Sequence, residues 1–334
     1  MPGGLFPAGS TVTFLAMTQP SASPPPDRRL WIDGALVPWE HATVHVLSHS
    51  LQRGSLVFDY TSVHPTPRGQ AVFRLREHLE RFLRSVSLVG LPLRYDLAEL
   101  VAAARATVRA NPGATSLKIC AYLPSVEIDV VPMDERVSVA IAVYDAIRDM
   151  ALRTPAPRPF TPTLKLKIER TRRRLPPSLP PAAKAAANYL GPMMAKWAAR
   201  REGYDEVVLL DAAGHLAEGP TTNVFLVDDE GTLRTPPLDE ILAGVTRASL
   251  IELARHAGIP VREEPLAPEA LFDAAEVFLA GSTVGGWPVA SVDGRPVRGG
   301  APGPVSKRLQ ERHAAVVAGA DPAFAHWLDY AEEG

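Results

Sequence analysis

Prolines recur at positions 155, 157, 159 and 162, between Tyr144 and Thr163, in a stretch without apolar periodicity, and this tract constrains the fold by cutting the chain in two. With 334 residues, there is enough chain for two domains. The division falls at a connector over 147–160, with a small domain at 30–146 and a larger one at 161–334. Residues 1–29, with Pro20, Pro24, Pro25 and Pro26 and no sustained period, read as a disordered tail.

Both parts mix strand and helix signals. Leu30-Trp31-Ile32 leads through Asp33-Gly34 into Ala35–Trp39, a hairpin pattern. His41–Val46 alternates as a strand, and Leu56–Val63 and Ala71–Phe73 read as two more. Leu79, Phe82 and Val86 repeat at helical spacing within Arg76–Leu88, Leu97–Val108 is an Ala-rich helix, and Val137–Val143 is a buried strand. Beyond the connector come a strand at Leu164–Glu169, an Arg- and Pro-rich loop at Arg170–Pro181 and a helix over Ala182–Arg201. Strands follow at Glu206–Leu210, Asn223–Val227, Thr232–Thr235 and Glu276–Ala280, with helices at Thr246–His256, stopped by Gly258, and Val305–Val317. The expected class is α/β in its α+β form.

Thirty-five basic against 37 acidic residues leave a net charge of −2, with the signs mixed, so phosphate-driven nucleic-acid binding is not expected. Val12–Met17 is too short to span a membrane. A single cysteine, Cys120, permits neither an internal disulfide nor a cysteine metal cluster. The expectation is a soluble cytoplasmic protein without a metal.

Only six lysines accompany 29 arginines, so each lysine is informative. Lys184 lies in Ala182-Ala183-Lys184-Ala185-Ala186-Ala187-Asn188-Tyr189, where small neighbours would let an aldehyde approach and a desolvated amine could act as a nucleophile. The same spacing fits a surface lysine on an Ala-rich helix. Glu218, before Gly219-Pro220, could hold a proton on an aromatic nitrogen or be a plain turn residue. Leu242-Ala243-Gly244-Val245-Thr246 enters a helix whose open N–H groups suit a phosphate, or are simply capped. Arg81 could clamp a phosphate or pair with Glu77, and Gly281-Ser282-Thr283 ends a strand in a turn that could meet an anion.

Taken in order, Phe73-Arg74-Leu75-Arg76-Glu77-His78-Leu79-Glu80-Arg81, Ala182–Leu190, Ala217–Phe225, Gly244–Arg247 and Glu276–Ser282 resemble the motifs of the class IV aminotransferases, the pyridoxal-phosphate family that includes the branched-chain aminotransferases. The resemblance runs from about Trp31 to Lys307. It implies two α/β domains with pyridoxal 5'-phosphate between them and Lys184 as the catalytic residue that forms the internal aldimine. It further implies Tyr189 on the ring oxygen, Glu218 on the pyridine nitrogen and Arg81 on the phosphate. Leu242 would pack on the ring, Val245 and Thr246 would form the phosphate-binding helix start, and Ser282 and Thr283 would serve phosphate and substrate carboxylate. The substrates would be an amino donor and a 2-oxo acid acceptor, and the assembly a homodimer or higher oligomer.

On the substrate side the chain departs from the branched-chain pattern Tyr then Gly-x-x-x-Phe-Glu-Gly-x-Arg. It reads Arg53-Gly54-Ser55-Leu56-Val57-Phe58-Asp59-Tyr60-Thr61-Ser62, and a Tyr-x-Arg segment expected near residue 117 reads Leu117-Lys118-Ile119. Arg53, Phe58, Tyr60, Leu117 and Ile119 are the expected substrate-side residues. An L-branched-chain amino acid is the favoured donor. An (R)-selective amine or D-amino-acid transaminase, an aminodeoxychorismate lyase and a non-catalytic cofactor carrier are the alternatives.

Overall fold

The computed structural model describes residues 28–150, 162–171, 180–283 and 285–332. Most of the expected tail and connector, and much of the Arg- and Pro-rich loop, lie outside these residues. Arg28 and Arg29 do not belong to a tail. The buried Arg28 guanidinium meets Asp149 at 2.8 Å, and Arg29 opens the first strand.

Two sheets carry the fold. The first is antiparallel throughout and combines β1 (Arg29–Ile32), β2 (Ala35–Pro38), β3 (Val57–Thr66), β4 (Gly69–Phe73), β5 (Ser116–Tyr122), β6 (Ser138–Tyr144) and β15 (Leu328–Tyr330) in the order β15-β4-β3-β5-β6-β1-β2. The second is mixed. It is built from β7 (Leu164–Glu169), β8 (Glu206–Leu209), β9 (Asn223–Val227), β10 (Leu233–Thr235), β11 (Val261–Glu263), β12 (Glu276–Gly281) and β13 (Gly285–Val292), in the order β11-β10-β9-β12-β13-β7-β8, with β14 (Arg295–Pro296) paired to β13. The last strand thus crosses back to the first sheet.

Helix α1 (His49–Arg53) precedes β3, and α2 (Leu75–Val89) and α3 (Leu97–Arg109) cover the first sheet. Leu75, Leu79, Phe82 and Val86 form the buried stripe of α2, each contributing roughly 1.5–3 kcal/mol through burial. Asp96 and Glu99 form a reciprocal capping box at the start of α3. In the second part, α4 (Leu190–Arg201), α5 (Val245–His256), α6 (Ala270–Asp273) and α7 (Pro304–Val317) complete the set. Helix α5 ends as expected at Gly258, whose φ is +73°. There Ile259 N–H returns to Ala254 O at 2.9 Å and Gly258 N–H to Arg255 O at 3.0 Å, a Schellman closure.

Two expected elements differ. His41–Val46 forms no strand: a 3-10 turn covers Trp39–His41, and the alternating residues that follow find no sheet edge to pair with. The helix expected from Ala182 begins only at Leu190, after a 3-10 turn at Ala186–Tyr189. The segment before it pairs outward instead. Phe58 N–H donates to Lys184 O at 3.0 Å and Ala186 N–H to Leu56 O at 2.7 Å, so these peptide groups are taken by β3 and its approach.

Candidate active site

That crossing segment carries Lys184 into a cleft between the two sheets. Arg81 enters from α2, Glu218 from the return after β8, Leu242 to Thr246 from the start of α5, and Ser282 from the end of β12.

Lys184 Nζ donates to Tyr189 Oη at 2.9 Å and lies 5.1 Å from the centre of the Phe58 ring. Phe58 and Tyr189 pack at 5.1 Å between ring centres, so an aromatic wall limits how far the amine can swing. Asn188 Nδ2 donates to Pro180 O and Ala183 O at 3.1 and 2.9 Å, tying down the turn from which the lysine emerges.

Glu218, which lines the same cleft, is 5% exposed. Its Oε2 accepts from Asn223 Nδ2 at 3.4 Å and from Leu242 N–H at 3.2 Å. These two donors hold the carboxylate in place at the cleft wall. The wall beside it leaves no room for side chains: a Cβ at Gly219 would lie 2.4 Å from Thr222 Oγ1, and one at Gly244 would lie 2.0 Å from Asn223 Oδ1. Thr222 Oγ1 is buried in this wall without a hydrogen-bond partner among the described residues.

The far end suits an anion. Helix α5 starts at Gly244 with no side-chain cap, so its first N–H groups and positive dipole end remain open. Thr246 Oγ1 and Ser282 Oγ flank that end, 3.4 Å apart. Arg81 completes the group but is paired with Asp59, through Nε to Oδ2 at 2.8 Å and Nη2 to Oδ1 at 2.7 Å. His78 Nδ1 also lies 2.7 Å from Asp59 Oδ1. Burial alone would raise the Asp59 carboxyl, but the Arg81 charge and the His78 hydrogen bond outweigh it and hold the group well below the usual carboxylate range. Burial lowers the His78 imidazole, so the ring is neutral and donates Nδ1–H to Asp59.

A buried carboxylate and a lysine share this cleft with a wall too tight for side chains and an open helix end, an arrangement that suits an aldehyde cofactor with an anionic tail. The family described as Amino-transferase class IV matches residues 56–292, which include all of these groups. The chain is a class IV aminotransferase. This aminotransferase is 35% identical over 303 residues to the branched-chain-amino-acid aminotransferase of Salmonella typhimurium, covering 90% of this chain and 96% of that protein. The Escherichia coli branched-chain amino acid aminotransferase structure superposes with a TM-score of 0.83 at 34% identity, covering 92% of this chain and 100% of that chain. The Thermobaculum terrenum branched-chain aminotransferase in its PLP form gives a TM-score of 0.82 at 30% identity, covering 92% and 99%.

In this aminotransferase the structure gathers Arg81, Lys184, Tyr189, Glu218, Leu242, Val245, Thr246 and Ser282 around one cleft. Thr283 lines an adjoining compartment with Phe58, Tyr60, Lys118, Tyr144 and Trp287. Three substrate-side expectations need correction. Leu117 and Ile119 are each 1% exposed and point into the core of the first sheet, because β5 alternates and presents Lys118 to the cleft instead. Arg53 lies at the end of α1, where its Nη2 donates to Ile128 O at 2.9 Å and its side chain borders a separate apolar hollow with Leu51 and Leu56.

Asp59, Ser85, Lys118, Thr222 and Asn223 went unassigned from sequence. Asp59 lies on the opposite face of β3 from Phe58 and Tyr60, and Ser85 falls one helical turn after Arg81; these spacings were the available signals. No cluster of metal-ligating side chains occurs among the described residues, and none of their helices is long and apolar enough to cross a membrane.

Proposed function

We propose that this enzyme transfers the amino group of an L-branched-chain amino acid to a 2-oxo acid, with pyridoxal 5'-phosphate held in the cleft. The observation that carries this reading is that Lys184 and the buried Glu218 carboxylate line one cleft, beside a wall that excludes side chains. The chain's residues suit each part of the cofactor. The open start of α5 with Thr246, Ser282 and Arg81 would take the phosphate, Glu218 the ring nitrogen, and Tyr189 the ring oxygen. The orphaned Thr222 hydroxyl offers a further polar contact in the same wall.

When bound, pyridoxal phosphate supplies an electron sink for bond breaking at the substrate α-carbon. Glu218 favours that role by holding a proton on the ring nitrogen. Lys184 Nζ, restrained by Tyr189 and the Phe58 ring, is the group in place to carry a proton between substrate and cofactor. Phe58, Tyr60, Tyr144 and Trp287 give the adjoining compartment an apolar character suited to a branched side chain. Lys118 Nζ sits 4.8 Å above the Phe58 ring and has no carboxylate partner among the described residues, so it is available to a substrate carboxylate. This favours an amino acid over a carboxylate-free amine.

A homodimer fits the exposed apolar residues Val44, Val46, Leu51, Ile128 and Leu190, a face that a second copy would cover. The lone cysteine fits a cytoplasmic setting.

A half-reaction panel of L-leucine, L-valine, D-alanine and (R)-1-phenylethylamine tests the reading by cofactor absorbance. Fast conversion with L-leucine and L-valine is expected. Conversion by D-alanine or the (R)-amine alone would overturn the donor assignment, and pyruvate release from aminodeoxychorismate without conversion would make the enzyme a lyase. A Lys184→Ala variant with full turnover would remove the lysine from the mechanism.

A further inference from the structure

Lys184 lies outside the helices and ladders, yet both polar groups of its backbone are held. Its N–H donates to the Ser85 hydroxyl at 3.0 Å, and its C=O accepts from Phe58 N–H at 3.0 Å. Ser85 is fully buried on α2, where its Oγ donates to Arg81 O at 2.8 Å. A hydroxyl has one proton to give, so donation to Arg81 turns its lone pairs toward Lys184. One hydrogen-bonded chain therefore joins the backbone of the phosphate-side arginine to that of the lysine. Ser85 does not itself line the cleft.

We propose that Ser85 is a positioning residue for the Lys184 amine. It fixes the lysine main chain against α2, so that Nζ reaches the cofactor's aldehyde carbon while the phosphate is held at the other end of the cleft. This rests on the pyridoxal-phosphate reading above. In the bond concerned, the Lys184 ammonium condenses with the aldehyde. A carbon–nitrogen double bond forms, two ammonium protons leave with the aldehyde oxygen as water, and no electron is gained or lost. Without Ser85 the lysine N–H loses its buried acceptor and the segment shifts, but the contacts to phosphate and ring nitrogen stay in place.

The test compares two forms of the cofactor in Ser85→Ala, a substitution that a helix accepts well. Pyridoxal phosphate can bond to Lys184; pyridoxamine phosphate, with an amine in place of the aldehyde, cannot. The Kd for pyridoxal phosphate is expected to rise about tenfold, the scale of one buried hydrogen bond, with the Kd for pyridoxamine phosphate within about twofold of the parent. Ser85→Thr, whose hydroxyl can make the same bond to the preceding turn, should restore pyridoxal phosphate binding. Equal losses for both forms, or no loss for either, would overturn the proposal. If Ser85→Ala does not fold, Ser85→Cys carries the same comparison, with a smaller loss again confined to pyridoxal phosphate. A parent protein that binds neither form would defeat the cofactor reading itself, and the proposal with it.

Discussion

The Arg81 guanidinium lies edge-on to the Asp59 carboxylate, with Nε on Oδ2 at 2.8 Å and Nη2 on Oδ1 at 2.7 Å, while Nη1 reaches across to Ala243 O at 3.0 Å. The pair is almost entirely enclosed, at 5% exposure for Arg81 and 1% for Asp59. Asp59 thus fixes the orientation of Arg81 before any anion arrives, and Arg81 ties the first sheet's helix to the residues that open α5. An arginine already matched in charge offers a phosphate directed N–H groups more than net charge. Net attraction then falls to the open start of α5.

Asp59→Asn leaves the Arg81 cation buried without its counter-charge and should cost about 3–5 kcal/mol in urea unfolding of the cofactor-free protein. The acid limb of stability checks the same pair. The folded Asp59 carboxyl is held below its ordinary value of 3.8, so its contribution is complete above that pH and declines as the pH falls below it. The parent should lose stability on acidification below pH 3.8 more steeply than Asp59→Asn.

Glu218→Gln keeps an oxygen to accept from Asn223 Nδ2 and Leu242 N–H, so the wall should retain its shape and still bind cofactor. A neutral amide cannot hold the ring nitrogen protonated. The half-reaction rate should fall by about 100-fold or more, as when an electrostatic stabiliser is removed from an active site. Stopped-flow absorbance on the loaded variant measures it, and an unchanged rate would leave Glu218 a turn residue.

That the residues of Ala182–Leu190 and Ala217–Phe225 line one cleft is legible only from the succession of motifs along the chain, since each segment alone also fits an ordinary Ala-rich helix or a Gly-Pro turn. The substrate side was not legible, since which face of a strand meets the cleft depends on its partner. β5, unassigned from sequence, pairs Tyr60 with Lys118 and Phe58 with Cys120, and that register turns Leu117 and Ile119 inward. The Ala-rich stretch around Lys184 has high helix propensity, but its peptide groups bond to Ser85, Phe58 and Leu56, and these tertiary contacts override the local preference. Asp59 and Ser85 are single polar residues in otherwise ordinary patterns. Only the packing of α2 on β3 and on the Lys184 segment reveals their partners.

His313 stacks edge-on against Phe73 at 5.1 Å between ring centres, and burial pushes its imidazole down to about 4 from 6.5. Below pH 6.5 the unfolded chain takes up a proton that the folded protein refuses, so folded stability falls as the pH drops from 6.5 toward 4. A shift of that size corresponds to about 3 kcal/mol at most across the window. His313→Leu should flatten the stability profile between these limits in chemical denaturation, and an unaltered slope would place the proton uptake elsewhere.

Gly244→Ala is a test of the cradle's shape. Gly244 has an ordinary φ of −67°, so a substitution brings no backbone strain, but its Cβ would lie 2.0 Å from Asn223 Oδ1 and 3.2 Å from Arg247 Cβ. Asn223 must move, and with it one of the bonds that hold Glu218. Loss of a hydrogen bond to a charged group corresponds to about tenfold or more in Kd, so pyridoxal phosphate affinity should fall by that amount in a fluorescence titration.

Lys118 is the residue whose change should separate substrates by charge. Its strand neighbours Leu117 and Ile119 face the core, so Lys118 necessarily faces the compartment shared with Phe58, Tyr60 and Tyr144. Its ammonium lies over the Phe58 ring, which also has the Lys184 amine 5.1 Å from its centre. A carboxylate entering beside Phe58 would meet the Lys118 cation in a partly desolvated setting, where a charge-assisted contact contributes about 1.5–3 kcal/mol, or 10- to 100-fold in affinity. Lys118→Met keeps the chain length and the packing on Phe58 while removing the charge. The KM for L-leucine should rise by about tenfold or more, while any residual conversion of (R)-1-phenylethylamine, which has no carboxylate, should hold or improve. Parallel losses for both donors would assign Lys118 to packing against Phe58 and leave the carboxylate to the turn at Ser282 and Thr283.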